Sequence, residues 1–318
     1  MEVIIMKRIA KKNAIWLVLI VEIIIFTIAN PAFIRPNNLL MILRQVAVYG
    51  VASVGMMFVI LIAGIDLSAG SVITLVGITC AHLIVNLHFP WLAAVLIALI
   101  AATLVGVLNG FMVSTIGIPA IIATFASQTI FEGLAFLLSS GMPIPLERNT
   151  AIDFFGRWNV AKIVPICAII MLICFFIGWF ILTKTYFGRY FYAIGGNEDA
   201  AELSGIRVGR MKYLIYALSG FFAGLAGIIM LSRTGSAQNT AGKGLEFDFI
   251  TCVVLGGVSV NGGVGSMVGV VAGVLIIGSL TNGMVLMNVN TYTQMIVKGV
   301  VLAIAVGFDC ISKKRQAN

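Results

Sequence analysis

Long apolar runs separated by short polar breaks account for nearly the whole chain. An α-helix rises ~1.5 Å per residue and needs roughly 20 apolar residues to cross about 30 Å of hydrocarbon. Runs of that kind lie near Ala14 to Asn30, Val46 to Ala63, Gly70 to Asn86, Trp91 to Ser114, Pro119 to Leu138, Val164 to Thr183, Tyr213 to Arg233, Gly263 to Met287 and Thr291 to Cys310. A further run, Asp248 to Val258, is too short for a plain span and reads as a partial or broken helix. Such a segment survives at membrane depth only where protein or a water-filled cavity covers its free backbone groups. A β-barrel would show alternation in segments of about ten residues, and the chain has none. The expectation is an all-α polytopic membrane protein, one transmembrane domain over residues 1–318, with about ten transmembrane helices including short or broken ones.

Composition agrees with that pattern. With 60% hydrophobic and 10% charged residues, the chain has too little charge to clothe a soluble core. The net charge of +8 does not point to nucleic acid, because twelve of the twenty Lys and Arg fall in three clusters that flank apolar runs. These are Lys7, Arg8, Lys11 and Lys12; Lys184, Arg189, Arg207, Arg210 and Lys212; and Lys313, Lys314 and Arg315. The positive-inside rule puts all three in the cytoplasm, so both termini are expected there, and ten spans also bring the middle cluster inside. The first run has no small-x-small cleavage site before Asn30-Pro31 and reads as a retained helix. Cys80, Cys167, Cys174, Cys252 and Cys310 are odd in number, lack CxxC spacing and read as packing residues.

The chemistry of an enzyme is not written here. The glycine-rich stretch Leu255 to Ser266 has no lysine, and Gly263, Gly265 and Gly269 miss the spacing of a nucleotide-binding turn by one residue. It reads as a tight turn between close-packed helices. His82 and His88 have no acidic partner nearby in sequence, and no catalytic residue or metal ligand is assigned.

An ionised side chain near the bilayer centre costs on the order of 3 kcal/mol, so Glu22, Asp66, Glu132 and Asp309 each need a reason. Asp309 can pair with Lys313, and Glu22 reads as a snorkelling or packing residue. Asp66 and Ser68 stand in the break Gly64-Ile65-Asp66-Leu67-Ser68-Ala69-Gly70-Ser71, where they can cap the next helix or take part in lining a path, since discontinuous helices also build binding sites. Thr124, Gln128 and Glu132 recur every four residues with Ser127 beside them, a polar stripe that serves either helix packing or a pore face. A lining of that kind suits a neutral hydroxylated solute better than an ion. Asn109, Asn282, Asn288 and Gln294 are further candidates for the same wall. Gly220, Gly224 and Gly227, and Gly265, Gly269 and Gly273, have the spacing of close-packed helices.

One compact charged island, Lys184 to Lys212, interrupts the apolar pattern. Asn197 is a good N-cap, Glu198 and Asp199 put negative charge at the positive end of a helix, and Gly205 is a good stop. A two-turn helix follows, with Ala200, Ala201 and Leu203 as a small apolar side able to dock in a protein groove. A solvated loop is the plainer alternative.

These residues resemble the membrane-spanning subunits of bacterial ATP-binding-cassette importers for monosaccharides, the ribose permease type. Gly64 to Ser71 is similar to that family's early signature. Gly188-Arg189-Tyr190-Phe191-Tyr192-Ala193-Ile194-Gly195-Gly196-Asn197-Glu198 with Ala200-Ala201-Glu202-Leu203-Ser204-Gly205-Ile206 resembles its cytoplasmic loop. Val253-Val254-Leu255-Gly256-Gly257-Val258-Ser259 with Gly262-Gly263 resembles its late glycine-rich signature. The resemblance implies a multi-pass protein of the bacterial inner (plasma) membrane that forms the path for a pentose or hexose. It implies a periplasmic sugar-binding protein, a second permease copy in a homo- or heterodimer, and a separate ATPase that carries ATP and Mg, with no cofactor on this chain. It also implies that Asn197, Glu198, Asp199, Ala200, Ala201, Glu202, Leu203, Ser204 and Gly205 form the coupling helix that seats in the ATPase. Ala63, Thr124-Phe125-Ala126-Ser127 and Phe247-Asp248-Phe249 depart from the family's usual residues and bear on the substrate. The alternative from a different class is a self-sufficient ion- or proton-coupled carrier, for which Asp66 and Glu132 would be the coupling site.

Overall fold

The computed structural model describes residues 2–147, 151–161 and 163–317, with the side chains of residues 2–14 and 312–317 outside the description. Thirteen helices follow one another among the described residues. They are α1 (Glu2–Ala29), α2 (Pro36–Leu61), α3 (Ala69–Val85), α4 (Trp91–Phe111), α5 (Ala120–Leu138), α6 (Asp153–Gly156), α7 (Ile166–Lys184), α8 (Tyr186–Gly196), α9 (Glu198–Leu203), α10 (Val208–Thr234), α11 (Leu245–Leu255), α12 (Met267–Leu286) and α13 (Thr291–Ala317). Two antiparallel ribbons of two residues per strand complete the set and leave the class all-α. In one, β1 (Ile144–Pro145) pairs with β4 (Ser236–Ala237), and in the other β2 (Asn159–Val160) pairs with β3 (Val164–Pro165).

Proline sets several of the helix starts. Pro36 opens α2, and Pro90, Pro119 and Pro165 stand immediately before α4, α5 and α7. A fixed φ and a missing N–H are harmless at that position and forbid extension backwards. The core forms around α2 and α10, with α10 lying against α4, α2 and α3. Small residues make the approach close: a Cβ on Gly220 would overlap the Ala102 carbonyl, and one on Gly273 would overlap the Cys252 carbonyl. Both glycine series therefore have the packing role that their spacing predicts. Four of the five cysteines are buried, and none forms a disulfide. By contrast α13 shows its flank to the surroundings through Tyr292, Met295, Ile296, Val300 and Phe308.

Seven helices among the described residues are long and apolar enough to cross a membrane. The other three expected spans fall short for distinct reasons. In α1 the apolar stretch within the described side chains is Ile15–Ala29, and α3 has 17 residues. The third, α11, has 11 residues and begins after an irregular segment, 238–244. That segment runs back along α3: Gly242 N donates to Thr74 Oγ1 (3.0 Å), and Gly242 lies directly on Gly70. Since α3 continues to Val85, the turn sits on the order of 20 Å from that end of the helix. The short run at Asp248 to Val258 is thus a half-length helix entered from a re-entrant loop, and α3 covers part of its backbone.

Candidate functional site

The island folds as its residues dictate. Asn197 is extended (φ −161°, ψ 111°) and its Oδ1 accepts from Ala200 N at 2.9 Å, closing the start of α9 over Glu198 and Asp199. Gly205 at φ +86° ends it, a left-handed conformation that favours glycine, with Gly205 N donating to Glu202 O and Ile206 N to Ala201 O. Ala201 is buried against the bundle, whereas Leu203 is 90% exposed at the tip. Lys212 Nζ reaches back to Glu198 Oε1 at 2.6 Å, tying α9 to the start of α10. The result is a short helix held at both ends that shows an apolar knob flanked by Asp199 and Glu202.

Behind it, α8 joins the bundle by backbone contact. A Cβ on Gly195 would overlap the Leu61 carbonyl, Gly263 N donates to Leu61 O (2.9 Å), and Gly262 and Gly263 pack on Gly195 and Gly196. The end of α2, the end of α8 and the glycine-rich turn between α11 and α12 therefore meet with no side chain between them. Tyr192 Oη adds a hydrogen bond to Gly265 O at 2.9 Å, and burial pushes its phenol above the usual range, which keeps the donor proton in place.

The polar residues of the break and the stripe converge in one buried chain. Ser127 Oγ donates to Asn109 Oδ1, Asn109 Nδ2 donates to Ser68 Oγ (2.8 Å), and Ser68 Oγ donates to Asp66 Oδ1 (2.6 Å). Ser219 Oγ on α10 donates to Asp66 Oδ2 at 2.7 Å. Asp66, Ser68, Asn109, Thr124, Ser127 and Ser219 are all 2% exposed or less. Thr124 Oγ1 accepts from Leu67 N (3.1 Å) and holds the break against α5. Ser68 precedes α3 without a side-chain cap, and the Asp66 carboxylate instead accepts Ser68 N in a local turn at 3.0 Å. One carboxylate thus gathers hydroxyls from two elements, and the chain that ends on it runs on through α4 to α5.

Other candidates separate from this group. Asn282 is buried opposite Asn38 of α2, the two amides exchanging hydrogen bonds of 2.9 and 3.0 Å, so it serves the α2–α12 contact. Gln294 donates to Val289 O near the start of its own helix, and Asn288 stands in the preceding turn at φ +55°. Glu22 accepts from Ser279 Oγ (2.9 Å) and joins α1 to α12. Asp309 accepts from Ser259 Oγ (2.9 Å) and Val260 N (3.2 Å), which anchors α13 to the glycine-rich turn; the Lys313 side chain lies outside the described residues.

Two charged residues, Glu246 and Lys298, escaped the sequence reading, and Asp248 entered it only as a run boundary and as part of Phe247-Asp248-Phe249. Glu246 Oε1 accepts from Gln128 Nε2 at 3.0 Å, and Asp248 Oδ2 pairs with Lys298 Nζ at 2.7 Å. Glu246 and Asp248 lie just at the edge of the shortest run, but Lys298 sits inside the last one, and a lone cation within an apolar span was the available signal.

A family model for the permease component of branched-chain amino acid transport systems matches residues 38–306. The chain belongs to that family. It is 46% identical over 292 residues to the ribose import permease of Bacillus subtilis strain 168, covering 92% of this chain and 90% of the relative. To a probable ABC transporter permease of Escherichia coli K12 it is 36% identical over 307 residues, covering 96% and 92%. To the xylose transport system permease of the same strain it is 33% identical over 344 residues, covering 90% and 88%. No solved structure matches the chain. The matched range of this permease family takes in the break, the stripe, the island and the glycine-rich turn, so every element of the candidate site lies inside it.

Proposed function

We propose that this chain is the membrane-spanning subunit of an ATP-driven importer that carries a monosaccharide, a pentose or hexose, across the bacterial inner membrane. The observation that carries the reading is the capped helix α9 with Leu203 exposed at its tip, in a chain whose relatives include ribose and xylose permeases. Family membership favours an importer subunit over an ion-coupled carrier, and both oxygens of Asp66 are already engaged by serines.

In this reading α9, residues Asn197 to Gly205, is the coupling helix that seats in a separate ATPase, where ATP and Mg are held. Both termini and the loop 184–212 face the cytoplasm, and ten crossings result when α1, α3 and the re-entrant segment with α11 are counted with the seven long helices. A periplasmic binding protein delivers the sugar, and a second permease copy completes the path. Of the residues from the break and the stripe, Asp66, Ser68, Asn109, Thr124 and Ser127 shape the wall from behind, while Gln128 and Glu132, both half-buried, reach its surface.

The test is reconstitution of the chain with its ATPase and binding protein in proteoliposomes. ATP-dependent accumulation of a labelled pentose or hexose is expected. Accumulation driven by an ion gradient with no ATPase present would overturn the reading.

A further inference from the structure

The re-entrant segment clasps α5 at two places. At one end of the clasp Ser139 Oγ donates to Asn239 Oδ1 (2.6 Å), and at the other Gln128 Nε2 donates to Glu246 Oε1 (3.0 Å). The step of eleven positions from Gln128 to Ser139 spans ~16 Å of helix. Glu132 falls within that stretch, one helical turn on from Gln128. Along the same strip the irregular segment exposes Gln238, Thr240 and Lys243. Irregular backbone and exposed polar side chains at membrane depth are tolerated against water or protein and are too costly against lipid. The strip is thus a polar groove wall, and its middle lies where α11 has only half a helix.

Glu246 is the atypical member. Its side chain is 2% exposed, and its second oxygen, Oε2, has no hydrogen-bond partner and occupies the space that a Cβ on Gly70 would fill. A buried carboxylate with one oxygen on the Gln128 amide fixes which way that amide points. Gln128 keeps its own carbonyl and one N–H, a donor and an acceptor side by side, and Glu132 adds a carboxylate one turn on. Neighbouring hydroxyls of a sugar present the complementary pair. Resting on the monosaccharide reading above, we propose that Gln128 and Glu132 contact the sugar's hydroxyls during passage, and that Glu246 is the positioning residue that orients Gln128.

Two measurements test this on the complete permease–ATPase complex in nanodiscs, with D-ribose as the probe. In saturation-transfer NMR without the binding protein, D-ribose ring protons receive signal from the native complex. Gln128→Leu and Glu132→Gln reduce that signal at least tenfold, Glu246→Ala does the same, and Glu246→Gln keeps part of it. Thr103→Val on α4 leaves it intact. In the second measurement, Thr240→Cys reacts with a charged methanethiosulfonate reagent, located by mass spectrometry, and millimolar D-ribose slows the reaction. Equal NMR signals for the native complex and for Gln128→Leu, or a Thr240→Cys thiol that never reacts, would overturn the proposal. A native complex that accumulates no monosaccharide in proteoliposomes overturns the functional reading instead. Accumulation that survives Gln128→Leu and Glu246→Ala unchanged overturns the groove alone.

Discussion

Lys298 Nζ and Asp248 Oδ2 form a 2.7 Å ion pair that fastens α13 to α11, with the Lys298 ammonium 5.8 Å from the centre of the Tyr49 ring on α2. Removing one partner strands the other charge, at a cost of about 3–5 kcal/mol, whereas replacing both by apolar residues of similar size is close to neutral. Lys298→Ala and Asp248→Ala are each expected to lower the thermal midpoint of the purified protein markedly. The double variant Lys298→Met with Asp248→Leu should return it to within a few degrees of the native value. A double variant less stable than either single one would mean that the pair is no unit.

Gly195 meets the Leu61 carbonyl and the Gly262–Gly263 turn through backbone alone. Gly195→Val has to push three segments apart, and its effect should appear in function ahead of assembly. ATPase association, measured by co-purification, is expected to persist while sugar accumulated per ATP hydrolysed falls at least tenfold. Accumulation at the native ratio would show that the junction yields.

Leu203, 90% exposed on α9, tests docking. Leu203→Asp puts a charge where an apolar knob stands and should weaken co-purification of the ATPase by tenfold or more, with membrane insertion unchanged. Gly205→Pro acts through the backbone, because proline's φ near −65° is incompatible with the observed +86°. It should abolish transport, and native uptake with either variant would count against a coupling role.

Asp66 receives hydroxyls from Ser68 and Ser219. Asp66→Asn turns one acceptor into a donor facing a donor, and the lost satisfaction is expected to cost on the order of 1–3 kcal/mol, read as a lower thermal midpoint. Ser219→Ala alone removes one hydrogen bond and should cost about 1 kcal/mol.

Helix type and the places of the long apolar helices were legible in the chain because apolar length and proline placement are local properties, whereas seven rather than ten of the expected spans are, among the described residues, long and apolar enough to cross a membrane. The same holds for α9, whose cap and stop are single residues, Asn197 and Gly205. What α9 packs against was not legible: the Gly195–Leu61–Gly263 junction joins residues far apart in sequence, and each looks like an ordinary glycine or leucine. The stripe on α5 was visible as a period, yet its division was not. Thr124 and Ser127 face the interior, and Gln128 turns to Glu246, a distinction that depends on where 238–246 folds back. The partner of Asn282 was equally hidden, since Asn38 lies 244 residues away. Asp309 likewise accepts from Ser259, 50 residues away, a partner that the sequence around it does not announce.

The junction around Gly195 is made of main chain, so a side chain added there can only push its three segments apart. The contacts of α5 with the segment that leads into α11, Ser139 to Asn239 and Gln128 to Glu246, are made of side chains, each replaceable by a single codon change. Machinery and cargo are therefore encoded in different alphabets of the same molecule. On the proposed reading, a lineage could trade one sugar for another at Gln128 or Glu132 while the main-chain junction at Gly195 stays as it is.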